Sequence, residues 1–409
     1  MPLTLLKNYS KNLQYSGLIV ETDRHSNRQR RQKGYGGILL VEAGGCNGQK
    51  TQVIDKLTAT HERPDISVYR KYDDKPWALP VVRRVEASLA SEEDLNYEYL
   101  PTVGLDRFCT AVTSFILGKE SKVFSVQTLG CTGALHLGAT FLAQHLKAKQ
   151  YYYSAQTWEG TIPIFESAGF EKGLTYRYWH ADKRNIDIDA CAHNPTGCDP
   201  TFEQWVLIAD LMKKKKLFPF FDAVALGLAS GDFEKDARVV RYFVDQGFEM
   251  LCASSFSKNM NLYGQRIGNL IFVTNETDVI PRTRVHVMNI IRGRYMNPPS
   301  HGSRIVSTIL NDSDMEECVK TMCAKMKLRR ERLRDKLREL GTPGNCDHIV
   351  SQTGMVSLTG LSPSQIEYAR TKHHVYILNN GRIAISMLTT KNFDHVAHNF
   401  HDAIINVKE

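Results

Sequence analysis

From about residue 56 to the C-terminus, short apolar runs alternate with stretches of helical apolar spacing. That alternation narrows the available folds more than any other feature of the chain. Residues 151–153, 217–221, 250–253 and 267–273 have the length and composition of single strands. Residues 108–117 and 134–146 repeat apolar side chains at helical intervals. Short apolar strands separated by amphipathic helices fit a mostly parallel sheet covered on both faces. A long charged helix is expected over 316–340, stopped by Gly341 and Pro343. Beyond it, 355–358 and 382–386 read as strands, and 364–373 and 393–405 as helices. The expected class is therefore α/β: a large domain with a mostly parallel sheet between helices, joined through the long helix to a smaller α+β domain. Residues 1–55 stand apart, polar and basic to Lys33 and then glycine-rich, and carry no motif.

Composition excludes more than it identifies. The 409 residues are 42% hydrophobic and 23% charged, which rules out a collagen-like or mostly disordered chain. The nine cysteines are odd in number and form no Cys-x-x-Cys pair. That argues against a disulfide framework or zinc module and toward a reducing compartment, with no metal site expected. No apolar run approaches the ~18 residues needed to span a bilayer, so no membrane partner is expected. The first twenty residues lack Asp and Glu but also lack arginine, so a cytoplasmic location is expected ahead of a mitochondrial one. The sequons at Asn8, Asn275 and Asn311 are what chance supplies. A net charge of +8 would draw anions toward the surface. The basic cluster at 28–33 admits a nucleic-acid arm, but a solvated tail is the plainer reading, and no nucleic-acid partner is expected. The lysine run at 213–216 ends an apolar-periodic segment, where cations complement a helix dipole.

Open parallel sheets bind ligands beyond the carboxyl ends of their strands. Two expected strands run into residues with chemistry to offer: one reaches Asp222, the other Ser254-Ser255-Phe256-Ser257-Lys258. An acid there can hold a protonated ring nitrogen, and a lysine can form a Schiff base with an aldehyde. Taken singly, a strand-end aspartate is usually a cap and a lysine is usually solvated. Leu129-Gly130-Cys131-Thr132-Gly133 opens an expected helix, where backbone N–H groups face a phosphate. Thr132, Ser255 and Arg266 would complete the cup. An ordinary capped helix is the plain alternative.

His193-Asn194-Pro195-Thr196-Gly197 is more specific. With Asp222 and Ser255-x-x-Lys258 at these separations, the chain resembles the class I aminotransferases of the pyridoxal-phosphate fold type I group. Within them it resembles the aspartate aminotransferases of cytosolic type. Asn96-Tyr97-Glu98-Tyr99-Leu100-Pro101, Phe218-Pro219-Phe220-Phe221-Asp222, Asn297-Pro298-Pro299 and Leu388-Thr389-Thr390-Lys391-Asn392 carry the same likeness, which spans residue 56 to the C-terminus.

The resemblance implies pyridoxal 5'-phosphate as cofactor, small dicarboxylic amino and oxo acids as substrates, and a homodimer with sites shared across the interface. It implies Lys258 as the Schiff-base residue and proton shuttle and Asp222 as partner of the ring nitrogen. Asn194 would bond the ring hydroxyl and Trp158 would stack on the ring. Thr132, Cys131, Ser255 and Arg266 would surround the phosphate, with Tyr99 arriving from the partner subunit. Arg382 would clamp the substrate α-carboxylate, Arg292 from the partner would clamp the distal one, and Ser67 would line the pocket. The domain division it implies is 77–322 for the large domain and 56–76 with 323–409 for the small one.

Several positions leave the family pattern. A phenol expected near the cofactor hydroxyl falls at Ala225, a histidine behind the aspartate at Thr161, and an asparagine after the arginine clamp at Ala384. Glycines fall at Ser67 and Cys131. Between Arg184 and Ala190 there is only Asn185-Ile186-Asp187-Ile188-Asp189, too short for a parallel crossover with its helix. The alternating Ile186 and Ile188 would extend into the motif as a shortened strand, and a truncated or spliced product is the competing explanation. Two readings follow: an aminotransferase exchanging amino groups between aspartate and 2-oxoglutarate, or a non-catalytic paralogue that keeps the fold for binding.

Overall fold

The computed structural model describes residues 68–93, 95–118, 122–155, 157–176, 179–180, 185–186, 196–198, 200–310, 312 and 314–407. Among the described residues its central sheet holds four strands: β1 (Val123–Leu129), β6 (Phe220–Ala223), β7 (Met250–Ser255) and β8 (Ile267–Val273), in the order β1-β8-β7-β6. Between β1 and β6 in sequence lie β2 (Gln150–Ser154) and β3 (Lys172–Tyr176), a parallel pair of their own. β6 and β7 are parallel, whereas β8 is antiparallel to both β7 and β1. Three strands therefore share one direction and β8 opposes them. A tight return from β7 through the 256–266 turn puts β8 beside it head to tail, a reversal that apolar composition does not encode.

Period-two alternation explains why β7 and β8 read as continuous apolar runs. Met250, Cys252, Ile267, Ile271 and Val273 face one cluster with Phe108, Val112 and Ile116 of the helix Asp106–Leu117. Leu251, Ala253, Leu270 and Phe272 face the other, with Phe141 of the helix Gly130–His145. Both faces are covered, so alternating positions are apolar on both sides. Phe272 stacks on Phe124 and meets Phe141 edge-on, the geometries aromatic rings prefer.

The long helix runs Asp314–Glu339, with acidic residues in its first turn and basic ones in its last, as the helix dipole favours. β9 (Val356–Leu358) and β10 (Arg382–Ala384) form a small antiparallel sheet of their own, flanked by the helices Pro363–His373 and Phe393–Asn406. Ser362 and Gln365 close a capping box at the start of Pro363–His373. Of the expected shortened strand only Asn185–Ile186 lies within the described residues; its continuation into the motif lies outside them. β4 (Trp179–His180) and β5 (Asn185–Ile186) pair antiparallel with each other, outside the main sheet.

Candidate active site

Strand direction gathers the chemistry at one edge. The carboxyl ends of β1, β6 and β7 lie together with the amino end of β8, because Leu129 pairs with Ile267 and Ser255 with Gly268. Asp222 on β6 sits beside Ala253 of β7. Lys258 lies three residues past the end of β7, and Arg266 immediately precedes β8. Residues far apart in sequence thus become neighbours by register alone.

The turn after β1 is shaped for close approach. Gly130 has φ +69°, and a Cβ there would fall 2.4 Å from the Arg266 guanidinium Nη2. A Cβ on Gly268 would fall 2.5 Å from the Gly130 carbonyl carbon, so both glycines are needed for the turn to lie on β8. No side chain caps the helix Gly130–His145, which leaves its first N–H groups available to an anion. Arg266 donates through Nη1 to the Tyr263 carbonyl at 3.0 Å and to Ser257 Oγ at 3.5 Å. Ser255 Oγ lies 3.0 Å from Ser257 Oγ. Thr132 is exposed at the turn. Arg266, Thr132, Ser255 and the open N–H groups form a cradle that fits a phosphate monoester.

Trp158 borders the same place. An open depression of about 590 Å³ is lined by Thr132, Gly133, His136, Trp158, Gly160 and Arg266 among others. The indole packs over Gly160, where a Cβ would come within 2.3 Å of its ring. Asp222 and Lys258 are not on this wall.

Electrostatics around Asp222 are unusual. Solvent reaches the carboxylate, yet protein surrounds it at longer range, and this burial raises its pKa above the usual aspartate value. A hydrogen bond from Cys131 and the positive charge of Lys258 act against that rise. Burial also lowers the Lys258 pKa, with the Arg382 charge adding to the effect and Asp222 opposing it. A lysine so placed supplies neutral amine more readily than a solvated one. Arg382 is 7% exposed, starts β10 opposite Leu358, and its backbone N–H donates to Asn380 Oδ1 at 3.1 Å.

The fold brings Cys131, Thr132, Asp222, Ser255, Lys258, Arg266 and Arg382 to one side of the sheet edge, with Trp158 nearby. Tyr99 is 91% exposed and Arg292 is exposed in the last turn of the helix Ile280–Arg294. Among the described residues neither bonds to this group. Asn194 and Ser67 lie outside the described residues. Ala225 packs against the apolar core, and Ala384 pairs with Val356 in the small sheet. The Thr161 hydroxyl lies 3.2 Å from Thr157 Oγ1, turned to its own helix start. One contributor and one contact escaped the sequence reading. Ser257 links Ser255 to Arg266, and its signal was the two-residue spacing in Ser255-Phe256-Ser257. Cys131 bonds Asp222 across ninety-one positions, and no local pattern announces that.

An α/β sheet whose carboxyl edge joins a lysine, an acid and a phosphate cradle defines a class, the pyridoxal-phosphate enzymes of this fold. A family model described as aminotransferase class I and II matches residues 66–400. The chain belongs to that family. It is 44% identical over 376 residues to the cytoplasmic aspartate aminotransferase of Gallus gallus, covering 84% of this chain and 91% of that one. The aspartate aminotransferase from Saccharomyces cerevisiae cytoplasm superposes with a TM-score of 0.80 at 32% identity, over 90% of this chain and 98% of that one. The aromatic-amino-acid aminotransferase from Burkholderia pseudomallei, covalently bound to pyridoxal phosphate, matches with a TM-score of 0.78 at 29% identity, over 89% and 98% of the two chains.

Proposed function

We propose that the protein is a pyridoxal-phosphate-dependent aminotransferase that moves the amino group between L-aspartate and 2-oxoglutarate, giving oxaloacetate and L-glutamate. The observation that carries this is the placement of Lys258 and Asp222 beside one another at the sheet edge, each with its pKa displaced by burial. When bound, the cofactor supplies a carbonyl for amino groups and a ring that draws electrons from the substrate Cα. Everything else falls to the chain. Arg266, Thr132 and Ser255 hold the phosphate, and the turn at Gly130 lets the guanidinium lie close. Asp222 holds the ring-nitrogen proton by charge. Lys258 anchors the carbonyl carbon and carries the proton at the substrate Cα. Asn194 would bond the ring hydroxyl and Trp158 would cover a ring face. Arg382 binds the substrate α-carboxylate through its planar fork.

Tyr99 and Arg292 serve the neighbouring subunit's site in this reading, which accounts for their exposure here. The small domain comprises 323–409 with 56–76 and carries Arg382, while 77–322 carries the cofactor cradle. A cytoplasmic location accords with that of the Gallus gallus and Saccharomyces cerevisiae relatives. Neither the geometry of the described residues nor the relatives favour the non-catalytic reading. The experiment is spectroscopic: purified protein is titrated with pyridoxal phosphate and its absorbance recorded, and aspartate is then added. A bound-cofactor band that shifts with aspartate, and shifts back with 2-oxoglutarate, is the expected result. A band that ignores both substrates removes the proposal.

A further inference from the structure

The departures at Cys131 and Thr161 fall at the starts of two helices that pack together, Gly130–His145 and Thr161–Ser167. Asp222 gains from a donor behind it, since the surrounding protein disfavours its charge even though solvent reaches the carboxylate. Thr161 does not provide one, because its hydroxyl is engaged with Thr157. Cys131 does: its Sγ lies 2.9 Å from Asp222 Oδ1, with the thiol 8% exposed at the second residue of the helix Gly130–His145. Burial and the adjacent carboxylate push the thiol pKa well above its ordinary value, so the sulfur keeps its proton and remains a donor.

We propose that Cys131 is the positioning residue of Asp222: its S–H engages Oδ1, sets the carboxylate plane and leaves Oδ2 for the cofactor's ring nitrogen. The support for the aspartate has moved from the Thr161 helix to the helix that also cradles the phosphate. One helix start therefore anchors both ends of the cofactor, through Thr132 and the open N–H groups at the phosphate and through Cys131 at the ring nitrogen. A glycine at 131 has no donor to offer, and a serine would offer one on the same Cβ.

This inference rests on the cofactor reading, and the test separates the two. In cofactor-free protein, the infrared S–H stretch of Cys131 is identified by its loss in Cys131→Ala. It should move to higher frequency and sharpen in Asp222→Asn and Asp222→Ala, because the carboxylate acceptor is gone. A band unmoved in both variants overturns the contact. The dissociation constant for pyridoxal phosphate is then measured by fluorescence. Cys131→Ala should weaken binding about threefold to tenfold, the effect of one hydrogen bond from a weak thiol donor, while Cys131→Ser stays within about twofold of the parent. Equal losses in Ala and Ser, or no loss in either, overturn the positioning role and leave the cofactor reading intact. Parent protein that takes up no pyridoxal phosphate overturns the function and this role together.

Discussion

Lys258 and Asp222 show how far single residues are readable. Each is an ordinary letter alone, and only their separations within ordered motifs single them out. Their environment then follows from β-strand register, which places Asp222 against Ala253, five residues before Lys258. Replacing Lys258 with Ala should abolish cofactor attachment that borohydride can fix, while the circular dichroism spectrum stays that of the parent. Covalent label surviving the change would exclude Lys258 as the attachment point. Gly130 carries a sharper demand, because a methyl there meets both a left-handed backbone and the Arg266 guanidinium. Gly130→Ala should cost about 1 kcal/mol of stability from the backbone alone, and cofactor affinity should fall as Arg266 is displaced. Gly264→Ala, whose added Cβ would meet nothing within 4 Å, is the control that should leave both nearly unchanged. Parallel cofactor titrations of the two variants decide the point.

At the scale of elements, the helix Asp314–Glu339 was legible from its charge and apolar spacing, but two of its arginines were not. Arg329 and Arg330 are 1% and 2% exposed. Arg330 donates to the carbonyls of Ile349, Thr353, Gly354 and Val356, and Arg329 to those of Ser386 and Arg70. Buried arginines look like surface arginines in a sequence, because their partners are backbone oxygens that every residue has. Arg330→Met should destabilise the fold by about 3 kcal/mol or more, since several buried carbonyls lose their donor. Arg334→Met, which loses a bond only to its neighbour Asp335, should change the urea midpoint little. A second contact between elements is sensitive to pH. His145 and His286 meet with ring centroids 4.2 Å apart and planes tilted by 40°, joining the helices Gly130–His145 and Ile280–Arg294. Burial is the main cause that lowers the His145 pKa to about 4 from 6.5. In the unfolded chain the imidazole takes its proton near 6.5, and in the fold not until about 4. Between those values the unfolded state holds more protons, so stability falls as pH drops through that window and levels off below it. The fall should be shallower in His145→Gln, measured as the urea midpoint from pH 7 to pH 4.

For the molecule as a whole, the exposed Tyr99 and Arg292 are the test of a shared site. Arg292→Ala and Arg382→Ala should each abolish most activity toward dicarboxylic substrates when pure. In the proposed homodimer, mixing and refolding them would give heterodimers in which one site draws Arg382 from one chain and Arg292 from the other, both intact. Partial activity should return in the mixture. Activity no greater than that of the separate variants would mean that each chain completes its own site.

What this sequence determined by itself was local and periodic. Alternating short strands and helices specified an α/β fold with a second α+β unit, since apolar spacing reports which faces are buried. The ordered motifs around Asp222, Lys258 and Arg266 specified the chemistry, since few side chains can perform it. Tertiary structure alone decided the reversed direction of β8, the antiparallel pairing of 179–180 with 185–186, and the burial of Arg329 and Arg330. It also decided which side chain stands behind Asp222. Those outcomes depend on which distant segments meet, and a hydrogen bond such as that from Cys131 to Asp222, ninety-one positions apart, leaves no periodic trace in the sequence.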